Sequence, residues 1–544
     1  MILSFEFNYI SQNGLLENFL EAICKDFNIF YKIGKSKNII TLKVEADEEA
    51  LTNFSNFLSQ RLPLSIFFKS SAVNVVDDMS VNEFNIEPFA LNLPFTPKVL
   101  TQLNPLMNNE IGIETFNAKG ILLNGISFEK DYDELFNQAA QIIKNGNSLH
   151  VNSASGSYKL AKIDETFKEE DEFLVIPTDL SVIERMVVIK ENEIKAIASL
   201  EKPSLHLRVN SLYKAKEILP TNKVKMKLAD ELILLKICEK LYADGIEFLY
   251  RLNCKSDGFE NKLEIDGEFV SIPQIEVCVL ENGEILIVSG DGYSAPLLKD
   301  NLKKFEKPAH AQFASIMQEH NLFDDKVSCF YLSKSHDDKI MHISEKTGLL
   351  ELIKFPVIQS FEDILEKIKS SHQGAKLIES YKNSFPEIYD KILHVKIPNN
   401  MPESMYSIWG IVSVILGFAD NVQDGANTLI DNAEEYVGQK GPRIDYLLLD
   451  KDSIKSDFNM LKLIRSAMSF KLAGTDDITL SFGIMESLAY FVSDTSDSCR
   501  ENLSSQKTLL AGSIFSSKRF TELVCKNIVV NTQVCFNKEL PIDN

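Results

Sequence analysis

Between Asp171 and Leu207 the chain reads DEFLVIPTDLSVIERMVVIKENEIKAIASLEKPSLHL. An apolar run from Phe173 to Ile176 is stopped by a Pro177–Thr178–Asp179 turn, and a helix follows. A second, acidic helix closes on Ser199-Leu-Glu-Lys-Pro203 before another apolar strand. Strand, polar turn, amphipathic helices and strand in this order form an α/β pattern, in which helices bury one face on a sheet.

At 544 residues the chain is too long for one core and suggests three or four domains. Residues 1–75 read as strand (Leu3–Tyr9), loop Ser11–Gly14, helix (Leu15–Phe27), two strands, helix (Glu48–Arg61) and strand, a ferredoxin-like βαββαβ order. Residues 76–118, rich in Asn and Pro, read as a linker. In residues 119–255, a helix Asp131–Lys144 ends at Asn145-Gly146, suited to a left-handed cap. A small-residue loop, Asn152-Ser-Ala-Ser-Gly156-Ser, comes next, and later a helix Leu228–Leu241 and a strand Phe248–Leu252. Residues 274–544 open with a hairpin, Ile275–Leu280 and Ile285–Val288, turning at Glu281-Asn-Gly283. It leads into Ser289-Gly290-Asp291-Gly292, a loop type that can wrap a phosphate.

The 57 basic against 78 acidic residues give −21, which argues against a nucleic-acid or anionic-membrane surface. The acidic stretch Glu165–Glu172 suits either solvent or a basic partner surface. Eight cysteines without a CxxC pair offer no zinc tetrahedron and fit free thiols in a reducing compartment. The N-terminal residues lack a basic region followed by an apolar core, so no signal peptide is expected. The most apolar run, Ile408–Phe418, is far short of the roughly 20 residues that span a bilayer. A cytoplasmic protein is therefore expected. Trp409, in that run, is assigned to the core.

The residue order around Asp179, Leu180, Ser199, Lys202 and Pro203 resembles the YrdC-like domain of HypF, the carbamoyltransferase that matures [NiFe] hydrogenases. Thr178 stands at that family's Arg and Leu200 at its first Pro. The resemblance runs nearly the whole length in the same domain order. It implies a multidomain α/β and α+β fold: a degenerate acylphosphatase-like ferredoxin domain (1–75), a linker in place of the zinc modules (76–118), a YrdC-like domain (119–255) and a truncated carbamoyltransferase-like domain of the actin/hexokinase (ASKHA) type (274–544).

The same resemblance marks losses. Gly14-Leu15-Leu16 replaces the phosphatase Gly-Phe-Arg loop, and its Asn position falls near Gly34. Asn152 replaces a nucleotide-binding Lys, with Gly156 retained. The helix Lys307–His320 resembles the family's metal helix, but the two ligand positions are Pro308 and Gln312; His310 is retained between them and faces elsewhere. Asp424 stands for the acid of a Tyr-Glu-Gly-Gln turn and Ala426 for its Gln. Gly512 is kept and Ser513 replaces a second Gly. Leu540-Pro-Ile-Asp-Asn544 resembles the start of Val-Pro-Pro-Asn-Asp-Gly-Gly, leaving that motif's metal-binding Asp missing or displaced to the last residues.

These losses strike ligand chemistry while apolar periodicity and turns persist. The leading reading is a non-catalytic assembly factor for a [NiFe] hydrogenase that holds a hydrogenase structural subunit or another maturation protein, with no cofactor, no nucleic acid and no membrane insertion. The alternative is a reduced carbamoyltransferase using ATP and carbamoyl phosphate, with Gly290, Asp291, Gly292, Asp424, Gly512 and Ser513 lining the nucleotide cleft. A third reading is a nucleotide or small-molecule sensor.

Overall fold

A computed structural model describes residues 1–82, 118–128, 132–168, 172–255, 258–267, 271–450, 453–528 and 530–543. Most of the expected linker, the helix start at Asp131, and Glu169, Glu170 and Asp171 of the acidic stretch lie outside the described residues. The chain divides into two compact units: residues 1–279 with 289–295, and residues 280–288 with 296–544.

The first unit begins with β1 (Ile2–Tyr9), α1 (Leu15–Phe27), β2 (Phe30–Ser36), β3 (Ile39–Glu45), α2 (Glu48–Arg61) and β4 (Phe68–Val76). The sheet order is β2-β3-β1-β4 with antiparallel pairs, the expected ferredoxin-like arrangement. Both helices have the bounds read from the sequence because their ends carry local signals. Asp47 caps α2 by accepting from Ala50 N at 2.8 Å, and Asn28 closes α1 in a left-handed conformation.

The chain then builds a ten-stranded sheet. Its strands are β5 (Ala118–Leu123), β6 (Ile126–Phe128), β7 (Leu149–Ser153), β8 (Gly156–Lys162), β9 (Leu174–Pro177), β10 (Val187–Val188), β11 (Leu205–Val209), β12 (Lys223–Met226), β13 (Phe248–Asn253) and β14 (Lys262–Gly267). Their order is β10-β11-β12-β9-β13-β8-β7-β14-β5-β6. Helices α3 (Tyr132–Lys144) and α4 (Leu232–Ala243) bury Leu135, Phe136, Ile143, Ile233, Ile237 and Leu241 in one core with Leu149, Val151 and Leu249. Helix α4 starts at Leu232, four residues later than its apolar pattern indicates, because Asp230 and Glu231 are drawn into a buried polar cluster.

The second unit contains α5 (Pro308–His320), β15 (Val327–Tyr331), β16 (Lys339–Ser344), β17 (Gly348–Ile353), α6 (Met405–Leu416), α7 (Val422–Glu435), α8 (Asp477–Leu503), β18 (Lys507–Ala511) and β19 (Gln533–Cys535). One five-stranded mixed sheet, in the order β17-β16-β15-β18-β19, forms among its described residues. β15, β18 and β19 run parallel. Phe313, Ile316 and Met317 of α5 pack on Cys329, Tyr331, Leu509 and Ala511 of the sheet. Trp409 is fully buried as expected, its Nε1 donating to Tyr446 Oη at 2.8 Å. No described helix is long and apolar enough to cross a membrane.

Candidate functional site

In the first unit, a cavity of about 350 Å³ is lined by Lys225, Lys227, Arg251, Gln274 and Glu276, among others. Lys227 leaves the end of β12, and Arg251 rises from β13 two strands away. Lys227 Nζ lies 2.7 Å from Asp230 Oδ2 and 2.5 Å from Gln274 Oε1. Gln274 Nε2 donates to Asp230 Oδ2 at 3.0 Å, and Ser155 Oγ donates to Asp230 Oδ1 at 2.5 Å. The Arg251 guanidinium donates to Ser155 O at 2.5 Å, stacks 4.0 Å from the Tyr158 ring centre, and brings Nη1 to 4.0 Å from Asp230 Oδ1. Nη1 is buried with no hydrogen-bond partner among the described residues.

The charges are strongly coupled. Burial works to raise the Asp230 carboxyl, but Lys227 and Arg251 outweigh it and hold it well below the usual carboxylate range. Burial lowers Lys227, with Asp230 opposing. Glu231, which accepts from Ser153 Oγ and from Tyr158 Oη at 2.9 Å, is pushed from 4.5 to about 7 by burial and then by the Asp230 charge. At the rim, Lys225 pairs with Glu276, and His206 Nε2 stands 3.3 Å from the same carboxylate. Burial opposes ionisation of Glu276, yet His206 and Lys225 hold it at about 2.

The expected nucleotide loop borders this cluster. Asn152 is half-buried on β7 opposite Ser157, and Gly156, at φ +113°, sits where an added Cβ would meet Arg251 Nη2 at 3.6 Å. Arg251 therefore covers the turn from Ser153 to Gly156 with a cation of the chain's own. Gly290 and Gly292 are held by packing: a Cβ on Gly290 would lie 2.1 Å from Gln274 O, and one on Gly292 2.2 Å from Pro273 Cβ. This close approach places residues 289–295 with the first unit, although the sequence reading put them in the third domain. Asp291, between the two glycines, is exposed.

Residues marked by the resemblance around 178–203 have structural partners. Asp179 caps a short 3-10 turn by accepting from Ser181 N at 2.9 Å. Lys202 Nζ donates to Ala198 O and Ser199 O, both at 3.0 Å, closing the helix Glu191–Ile197, and burial lowers its pKa to about 8. Sequence reasoning missed Lys227, Asp230, Glu231, Arg251 and Gln274. Two acids directly before the apolar run Leu232–Leu235 were the available signal.

In the second unit, Gly512 and Ser513 follow β18, while Asp424 is an exposed residue in the first turn of α7, bonded to Asn421. Ser513 meets Asp543: its Oγ donates to Asp543 Oδ2 at 2.6 Å and its N–H at 3.0 Å. Ser333 Oγ donates to the same oxygen at 2.6 Å, and Tyr331 Oη donates to Oδ1.

The metal implied by the resemblance does not fit the residues present. Pro308 carries no ligating atom, and the fully buried Gln312 donates through Nε2 to Pro541 O at 3.1 Å. His310 stands 3.3 Å from Glu351 on another face. His320 bonds Phe536 O at 2.7 Å and is held at about 4 by burial. No group of three or more His, Cys, Asp or Glu able to hold a metal occurs among the described residues. Helix α5 instead grips residues 536–541 along its length.

No protein-family model matches the chain. Protein HydE of Wolinella succinogenes is 25% identical over 522 residues, which span 92% of this chain and 91% of that protein. The solved structure of full-length HypF in its phosphate- and nucleotide-bound form matches all of this chain and 96% of its own, at 13% identity and a TM-score of 0.62. HypF of T. kodakarensis matches 99% and 96%, at 11% identity and a TM-score of 0.68. The chain is a relative of HydE carried on the fold of HypF.

Proposed function

We propose that this chain is a non-catalytic HypF-fold factor that serves [NiFe] hydrogenase maturation in the cytoplasm by binding a hydrogenase structural subunit or another maturation protein. One observation carries the non-catalytic part: the cations of the cavity are engaged by the chain's own carboxylates. Lys225 faces Glu276, Lys227 faces Asp230, and Arg251 is turned onto Ser155 O and Asp230. A nucleotide triphosphate entering this cavity would compete with fixed anions for Lys225 and Lys227, in a low-dielectric setting where such competition is expensive.

The test is calorimetric titration with Mg-ATP, alone and with carbamoyl phosphate. No saturable heat is expected at protein concentrations that reveal a Kd of about 1 mM, roughly −4 kcal/mol. A tagged chain expressed in its source cells is expected to retain a hydrogenase subunit or maturation protein. Saturable ATP binding that is abolished by Arg251→Ala overturns this reading in favour of the reduced carbamoyltransferase.

The sensor reading has one observation of its own. Arg251 lines the cavity, and its buried Nη1 is a donor without a hydrogen-bond partner among the described residues, which suits a small ligand bearing one acceptor group. Saturable heat with a small carboxylate but not with Mg-ATP would favour it.

A further inference from the structure

The ferredoxin-like sheet ends in β4, whose nine residues read FKSSAVNVV. Every residue from Lys69 to Val75 is exposed, and among the described residues none pairs with the outer side of the strand. Lys69 is the one charge in β4, which holds neither Pro nor Gly. Its register against β1 shifts only between Asn8 and Tyr9, so residues 70–76 pair without a bulge.

Folded sheets blunt such edges with short strands, charges, Pro or bulges, because a row of open N–H and C=O groups is a template for another strand. These devices occur elsewhere in the first unit. The ten-stranded sheet ends in β10 and β6, of two and three residues. The opposite edge of the ferredoxin-like sheet, β2, carries Lys32 and Lys35. Past Lys69, β4 has none of them.

The apolar side chains of β4 also lie on the face that helices cover elsewhere. Val73 pairs with Phe5 and Val75 with Leu3, and the buried Phe5 has its ring 5.9 Å from that of Phe54 of α2. The core face of the lobe thus continues onto β4, yet Val73 is 53% exposed and Val75 66%. A strand added beyond β4 would bury both.

A second copy of the chain offers such a strand. Antiparallel pairing of β4 with itself about Val73 is self-complementary, as a two-fold interface requires. It sets Val73 against Val73, Val75 against Ser71, and Lys69 against the exposed Asp77 of the other copy. Copies of a chain with a net charge of −21 repel one another, so a contact between them needs a surface where acids do not meet acids. In this register no like charges face each other. A strongly charged partner, by contrast, would find a single charge along about 30 Å of strand.

We propose that β4 is a homodimerisation edge: two copies pair their β4 strands antiparallel about Val73 and join their four-stranded sheets into one. The proposal is independent of the hydrogenase partner and of the cavity.

The experiment is sedimentation equilibrium of the full chain over a range of concentrations, with cysteine cross-linking to read the register. The native chain is expected to approach twice the monomer mass as concentration rises. A nine-residue edge is small beside the roughly 800 Å² per partner of a standard interface, so the dimer should dissociate on dilution. Val73→Lys, which sets two ammonium groups directly opposite, should be monomeric at concentrations where the native chain is dimeric. Oxidised Val73→Cys should form a disulfide-linked dimer above the background of the native chain's own thiols. Val75→Cys alone should not, whereas Ser71→Cys combined with Val75→Cys should. A native chain that is monomeric at every concentration overturns the proposal, as does a dimer that Val73→Lys leaves intact. Should Val73→Lys not fold, cross-linking decides: equal yields from Val73→Cys and Val75→Cys, or none from either, overturn the proposal.

Discussion

Lys227 Nζ stands 2.7 Å from Asp230 Oδ2, and each of these residues is at most 2% exposed. A buried pair of this kind is costly to break because the partner left behind keeps its charge in a medium that solvates it poorly. Lys227→Met should therefore lower stability by about 3 kcal/mol in urea unfolding. Adding Asp230→Asn, which removes the stranded charge and can still meet Ser155 and Gln274, should restore part of the loss. If the double variant is less stable than the single one by the full cost of Asp230→Asn alone, the two residues do not act as a pair.

Glu231 gives the cluster a pH dependence. Burial and the neighbouring Asp230 charge raise its carboxyl from 4.5 to about 7, so the folded chain retains a proton that the unfolded chain has released. A group of this kind contributes stability that is fully present below the unfolded pKa and is lost as pH rises through the folded one. The stability difference between the native chain and Glu231→Gln should thus shrink between about pH 5 and about pH 8. Urea midpoints at the two ends measure it, and a difference independent of pH would remove Glu231 from the titration.

How far the fold was legible follows from which signals are local. Helices Leu15–Phe27 and Glu48–Arg61 were found to the residue because Gly14, Asn28 and Asp47 mark their ends in sequence. Gly512 was read as a retained glycine of a nucleotide loop, and its packing was not foreseen: at φ +103° a Cβ there would lie 2.1 Å from Leu332 O. The cavity cluster was not legible, because Lys227, Arg251 and Gln274 meet only through strand order, and β12 and β13 are separated by β9. Asp230 and Glu231 fell inside the helix read over Leu228–Leu241, whereas helix formation begins after them. Residue type indicated charge there, and only the sheet shows that the charges are buried together.

Glu201 joins the ferredoxin-like lobe to the ten-stranded sheet within the first unit. Its carboxylate accepts from Ser65 Oγ at 2.6 Å and from Ile66 N at 3.1 Å, beside a Leu200 N to Leu64 O bond of 2.7 Å. Glu201→Ala leaves a buried N–H unpaired, a loss of about 1–3 kcal/mol. Limited proteolysis should then cut residues 62–67 faster, while Glu201→Gln, which retains one acceptor, should be cut at an intermediate rate. Equal cutting of native and Ala variants would mean that apolar packing alone holds the lobe.

Glu319 carries a larger share of one attachment than any other side chain of α5. Its Oε1 accepts from Glu539 N at 2.9 Å and Leu540 N at 3.2 Å, and its Oε2 from Lys538 N at 2.8 Å and Asn537 Nδ2 at 3.1 Å. Burial raises this carboxyl to about 7, with the backbone N–H groups pulling it back toward ionisation. Glu319→Gln keeps the shape but replaces one acceptor oxygen with a donor that faces N–H groups. The expected result is a loss of about 1–3 kcal/mol and faster amide exchange at residues 537–540, with exchange in β7 unchanged. The apolar face of α5, through Phe313, Ile316 and Met317, is untouched by this substitution. Unaltered exchange at 537–540 would therefore assign the attachment to that face rather than to the carboxylate.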